Sequence, residues 1–104
     1  MKWTVIYTNA AEQDLRSIYD YIATTLCAVD TAKNLVRQIM EEIASLDEMP
    51  NRYAKYDKKP WKDRELRFFS VKNYVIFYFT NEKTKTVYII RIMYGGRDIE
   101  KQLS

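Results

Sequence analysis

A chain of 104 residues with 47% hydrophobic content, two glycines and two prolines can bury one core and not two, which excludes a multidomain enzyme and a disordered linker. Without histidine it has no Ser–His–Asp or Cys–His machinery, and one cysteine provides neither an intrachain disulfide nor a shared metal. The net charge of +3 conceals a division: residues 1–50 carry four basic groups against eight acidic ones, and residues 51–104 carry thirteen against six, so the halves stand at −4 and +7. That asymmetry points to a polyanion-facing surface on the second half, with a solvated charged face as the plain alternative.

In chain order, Trp3–Thr8 is rich in β-branched and aromatic residues and reads as a first strand. Asn9 is placed as the N-cap of a helix, with Glu12 three residues on, and Leu15, Ile18, Ile22 and Leu26 line one face of it. Asp14, Arg16 and Asp20 fall on the opposite, solvent face. Cys27, in this apolar stretch, is expected to be a buried thiol acting as a small hydrophobe. Asp30 or Thr31 caps a second helix, whose stripe is Ala32, Leu35, Val36, Ile39, Ile43 and Leu46 and whose end is Met49–Pro50. The short link between the two helices predicts an antiparallel hairpin.

Periodicity stops at Asn51. Arg52, Lys55, Lys58, Lys59, Lys62 and Arg64 interleave with Tyr53, Tyr56 and Trp61, giving a basic–aromatic loop. Lysines there can neutralise phosphates and rings can stack on bases, but packing of the aromatics as lids over the core is the favoured reading. Three strands follow: Leu66–Val71, Tyr74–Phe79 and Thr86–Met93, the last two joined by the polar turn Asn81–Lys85. The tail opens with Gly95–Gly96 and has room for a helical turn from Asp98. The expected fold class is therefore α+β, in the order β-α-α-β-β-β: one domain over residues 1–104, an antiparallel sheet with the helical hairpin packed on one face.

Strand alternation groups Val87, Ile89, Arg91 and Met93 on one face of the last strand, which leaves Arg91 a cation among apolar neighbours. It must be paired, with Asp98 or Glu65 as candidate partners, snorkel to water, or face a groove that binds phosphate or carboxylate. Arg67 poses the same question, and Arg67, Arg91 and Tyr94 gather only if the helix-free face is concave. No glycine-rich phosphate loop follows a strand, and no apolar run approaches the ~20 residues a bilayer span requires. The chain is accordingly expected to be cytoplasmic, with no membrane partner, no metal and no cofactor.

The phrases Asp14-Leu15, Tyr21-Ile22-Ala23, Leu66-Arg67-Phe68, Tyr74-Val75-Ile76-Phe77-Tyr78 and Ile90-Arg91-Ile92-Met93-Tyr94-Gly95-Gly96-Arg97-Asp98 resemble the RelE/ParE superfamily of toxins over nearly the whole chain. The resemblance implies a growth-inhibiting toxin of a type II toxin–antitoxin, or plasmid stabilisation, system, neutralised by a cognate antitoxin. RelE-like members are ribosome-dependent mRNA endoribonucleases (mRNA interferases); ParE-like members poison DNA gyrase. On the first mechanism Arg67, Arg91 and Tyr94 are candidate catalytic residues. Lys58, Lys59, Lys62, Arg64 and Arg97 are candidate contacts to the target or nucleic acid. The ending Gly95-Gly96-Arg97-Asp98 is more similar to the ParE pattern, so a gyrase inhibitor is the preferred expectation. A ribosome- and mRNA-directed enzyme, or an inactive binding module that has kept the fold, are the alternatives.

Overall fold

The structure is a computed structural model that describes residues 2–56 and 65–95. Among the described residues nine elements follow one another: β1 (Thr4–Tyr7), α1 (Asn9–Asp20), a π-helical turn (Tyr21–Thr25), α2 (Val29–Ala44), two 3₁₀ turns (Ser45–Asp47 and Pro50–Arg52), β2 (Arg67–Val71), β3 (Tyr74–Asn81) and β4 (Thr86–Tyr94). The expected α+β order and the helical hairpin on one sheet face are present.

Thr8, not Asn9, is the N-cap of α1. Its Oγ1 accepts from the Ala11 amide at 3.2 Å, and the same hydroxyl donates to the Ile89 carbonyl at 2.8 Å. One side chain thus ends β1, caps the helix and welds both to β4, a role Asn9 cannot fill from inside the first turn. Ala11 and Ile22 are buried and Leu15 and Ile18 half-buried, as the periodicity predicts. Leu26 departs from that stripe and is 55% exposed. The π-helical turn is the reason: the Leu26 amide bonds to the Tyr21 carbonyl five residues back, so the helical phase slips before Leu26 is reached.

Cys27 is likewise exposed rather than buried, because it lies at the chain reversal with φ 53°, which turns its side chain outward. The second helix starts at Val29 with Ala28 as its uncapped boundary, ahead of the expected Asp30 or Thr31 cap. Asp30 instead sits in the first turn, where its charge complements the helix dipole. The stripe of α2 is as expected, with Ala32, Ile39, Ile43 and Leu46 buried.

The sheet order is β1-β4-β3-β2, and the sheet is mixed, since β1 runs parallel to β4 while the other pairs are antiparallel. The all-antiparallel expectation fails for a topological reason. The helical hairpin returns the chain to the starting end of β1, where the Trp3 amide bonds to the Asp47 carbonyl at 2.7 Å. Two tight reversals later, β4 leaves in the direction of β1 and can only lie beside it in parallel.

A second departure is a β-bulge. Phe77 pairs with Arg91 and Tyr78 with Ile89, which leaves Ile90 as an extra residue in β4. The expected alternation therefore holds through Ile89 and reverses after it. Val87, Ile89 and Ile92 join the helix-side core with Ile39, Ile76 and Tyr78, whereas Met93 packs with Leu66 and Phe77 on the other face.

Candidate functional site

β1 pairs with β4 only from Thr86 to Ile89, so beyond Ile89 the outer edge of β4 has no strand beside it among the described residues. Asp14, on the second turn of α1, reaches that edge. Its Oδ2 accepts from the Ile92 amide at 2.9 Å and from Arg91 Nε at 2.7 Å, and its Oδ1 accepts from Arg91 Nη2 at 3.0 Å. The bulge at Ile90 aims Arg91 around the edge to make this bidentate contact. The side chains are 30% (Arg91) and 16% (Asp14) exposed, so the pair is largely withdrawn from water while its rim stays accessible. The Asp14 hydrogen bond holds the Arg91 guanidinium protonated to still higher pH than usual, outweighing the opposing effect of burial.

Arg91 is thus paired, by a residue assigned to the solvent face of α1. Of the partners expected from sequence, Glu65 is engaged with Lys55 at 2.8 Å, and Asp98 lies outside the described residues. The missed signal was positional: Asp14 lies three residues after buried Ala11 and four before half-buried Ile18, which places it beside the core stripe rather than opposite it.

Arg67 occupies the other flank. On β2 it pairs with Tyr78 and through it with Ile89, so two strand spacings, roughly 10 Å at Cα, separate it from β4. Its Nη1 donates to the carbonyls of Tyr53 at 2.6 Å and Asn51 at 3.1 Å. The buried Tyr78 hydroxyl donates to the Pro50 carbonyl at 2.6 Å, and burial pushes its pKa up to about 12 against the opposing charges of Arg67 and Arg52. Together these bonds strap the 50–53 turn to the sheet.

Tyr94 is 45% exposed at the end of β4, its ring edge-on to Tyr74 at 5.7 Å. Gly95 follows where a Cβ would stand 3.3 Å from both the Asn73 carbonyl and a Val75 methyl, a spacing that favours glycine. The guanidiniums of Arg67 and Arg91 are directed to opposite flanks, so Arg67, Arg91 and Tyr94 do not converge.

The described part of the basic–aromatic loop is tied down. Tyr53 stacks on Phe69 at 4.6 Å on one face of the sheet, and Tyr56 meets Phe77 edge-on at 5.3 Å on the other, the lid role expected for the aromatics. Arg52 closes the end of the helical segment by donating to the Glu48 carbonyl at 2.7 Å and to Ser45 Oγ at 2.8 Å. Lys58, Lys59, Trp61, Lys62, Arg64 and Arg97 lie outside the described residues.

A groove runs along the outer side of the hairpin in two lobes of about 470 and 520 Å³ that share Tyr19 and Val36. Leu15, Met40 and Ala44 extend its apolar floor, with Glu12, Arg16 and Asp20 on one rim and Lys33, Arg37 and Glu41 on the other. Its sequence signal is the i, i+4, i+8 row Val36–Met40–Ala44, which runs beside the core stripe of α2. Among the described residues no group of His, Cys, Asp and Glu could hold a metal ion, and no helix is long and apolar enough to cross a membrane.

A family model described as the ParE toxin of the type II toxin–antitoxin system parDE matches residues 5–99. No curated protein matches by sequence. Among solved structures, a chain of the chromosomal ParDE system of P. aeruginosa superposes with TM-score 0.73 at 22% identity, covering 89% of this chain and 96% of that one. A chain of the RelBE2 toxin–antitoxin complex of Mycobacterium tuberculosis gives 0.69 at 18% identity, covering 90% and 92%. A chain of the archaeal RelE–RelB complex of Pyrococcus horikoshii OT3 gives 0.66 at 18%, covering 94% and 100%. These likenesses establish the fold across both branches.

Proposed function

The chain belongs to the ParE toxin family of type II toxin–antitoxin systems, and from that premise we propose that it stops growth by binding and poisoning DNA gyrase. The observation that carries this reading is the Asp14–Arg91 pair. An RNA-cutting site needs cations free to meet a phosphate as charge develops on it. Here Arg91 is held bidentately by a carboxylate, and Arg67 spends Nη1 on two backbone carbonyls at the far flank. We read both as structural ties and assign target contact to the remaining basic groups of the second half, Lys58, Lys59, Lys62, Arg64 and Arg97.

Controlled expression in a bacterium, with DNA-damage reporter activity and bulk protein synthesis followed together in the first minutes, tests this. The expected result is an early damage signal with translation intact. An immediate fall in translation without damage would replace the gyrase reading with the ribosomal one. Unimpeded growth would leave only an inactive binding module.

The partner in this reading is a cognate antitoxin, as in the complexes that share the fold. The hairpin groove has the apolar floor and charged rims that an amphipathic helix requires. Met40, 46% exposed on that floor, gives the test. Met40→Glu should leave the melting temperature and toxicity unchanged while weakening antitoxin binding by roughly tenfold or more, measured by calorimetry.

A further inference from the structure

Even-numbered residues of β1 turn their backbone groups to β4: the Thr4 amide donates to the Lys85 carbonyl at 2.9 Å, and the Thr8 amide to the Ile89 carbonyl at 3.1 Å. Odd-numbered residues turn theirs to the outer edge of the sheet. There the Asp47 carbonyl takes the Trp3 amide at 2.7 Å. The amides and carbonyls of Val5 and Tyr7 come next, and nothing among the described residues takes them. The opposite edge of the sheet is covered, because the Tyr56 amide bonds to the Leu66 carbonyl and the Phe68 amide to the Ala54 carbonyl, laying residues 54–56 along the start of β2. β1 also lacks the features that keep an open edge from pairing. No charged residue stands between Lys2 and Glu12, and the strand has neither a proline nor a bulge. Val5 and Tyr7 pack into the helix-side core, which puts Ile6 on the helix-free face, 42% exposed. Ile6 pairs with Tyr88 and Tyr88 with Phe79, an apolar row across three strands that ends open at the edge.

We propose that the outer edge of β1 pairs with β1 of a second copy of this chain, antiparallel about a twofold axis at Ile6. The spacing of the open groups makes the edge complementary to itself. With Ile6 on the axis, Val5 lies opposite Tyr7 of the second copy and Tyr7 opposite its Val5, and each pair exchanges two backbone hydrogen bonds. All the open amides and carbonyls of Val5 and Tyr7 are then satisfied. Ile6 meets its own counterpart at a non-hydrogen-bonded position, where Cα atoms approach to about 4.5 Å and side chains touch. The row Phe79–Tyr88–Ile6 thus continues across the axis, and two four-stranded sheets join into one. Asp47 beside Trp3 and the start of α1 at Asn9 confine the pairing to this short window, so the association is weak and depends on concentration. The inference goes beyond the toxin reading and does not use it, so the purified chain tests it alone.

Sedimentation of the native chain and of Ile6→Lys is followed as concentration rises to about 1 mM. The native chain should move from monomer towards dimer, while Ile6→Lys stays monomeric with an unchanged melting temperature. A native chain that remains monomeric throughout overturns the proposal, as does a dimer that survives Ile6→Lys. Should Ile6→Lys fail to fold, amide exchange in the native chain decides. Exchange at Val5 and Tyr7 should slow as concentration rises, and exchange independent of concentration overturns the pairing.

Two cysteine variants, Ile6→Cys and Thr4→Cys, locate the axis, each combined with Cys27→Ser to remove the exposed native thiol. Both positions are exposed, but only position 6 faces itself in this register, at a Cα separation that a disulfide spans. Oxidised glutathione should therefore give covalent dimer from Ile6→Cys roughly tenfold faster than from Thr4→Cys. Equal rates would mean contact without register and overturn the proposal. Adding the cognate antitoxin tests the other occupant. If exchange at Val5 and Tyr7 slows only when antitoxin is present, the edge belongs to an antitoxin strand and the second-copy pairing is overturned.

Discussion

At the β4 flank a strand stops short and a carboxylate from α1 takes its place, whereas at the β2 flank an arginine and a tyrosine hold a turn by its carbonyls. Both devices fasten a distant segment to a sheet edge, yet they differ in electrostatics. Asp14 cancels the charge of Arg91 and depends on a partner 77 residues away. The Tyr53 and Asn51 carbonyls that Arg67 engages satisfy its donors without neutralising it, so its field persists over the turn. A quenched tie and an unquenched clamp should therefore fail differently when cut.

The largest effect is expected at Asp14. Asp14→Ala removes the bidentate partner of a largely withdrawn guanidinium and the acceptor of the Ile92 amide, a loss of about 2–3 kcal/mol measurable by urea denaturation. Arg91→Ala should cost less, because Asp14 keeps the Ile92 amide, and the double variant should show coupling of about 1–2 kcal/mol. Additive losses would mean that the pair carries no energetic weight. Next comes Arg67→Ala, expected to cost about 1–2 kcal/mol through the two freed carbonyls. Asp14→Ala should loosen α1 from β4, and Arg67→Ala the 50–53 turn, each as faster amide exchange confined to its own flank. Exchange that spreads from either site across the whole sheet would erase the comparison.

The difference between the flanks also explains what could be read from sequence. Periodicity reports burial on one regular element, so the stripe Ala32–Ile39–Ile43–Leu46 and the hairpin followed directly. It is blind to insertions that shift phase. The π-helical turn moved Leu26 to the surface, and the Ile90 bulge exchanged the faces of Ile92 and Met93. Strand direction carries no side-chain signature, which is why parallel pairing of β1 with β4 needed the three-dimensional path. Arg91 was recognisable as a cation requiring an answer, but the answer came from a helix residue that alternation on β4 cannot see. The aromatics at Tyr53 and Tyr56 were legible because rings beside a core nearly always join it.

The smallest effect expected is at Tyr78, and it sharpens the contrast because the tie is made by a neutral donor. Tyr78→Phe removes one buried hydrogen bond, to the Pro50 carbonyl, and should cost about 1 kcal/mol near neutral pH. The cost should change under alkali. Burial raises the phenol to about 12 in the folded chain, above its ordinary value of 10.0, which holds in the unfolded chain. The native contribution is thus whole below pH 10, where both states keep the proton, and declines as pH rises towards 12 because the unfolded state loses its proton first. Tyr78→Phe has no such proton to lose, so the stability gap between it and the native chain should narrow, then reverse, as pH rises from 10 towards 12. Urea denaturation of both proteins at pH 8, 10 and 11 measures this, and a gap independent of pH would mean that the strap holds Pro50 by shape rather than by the buried hydroxyl.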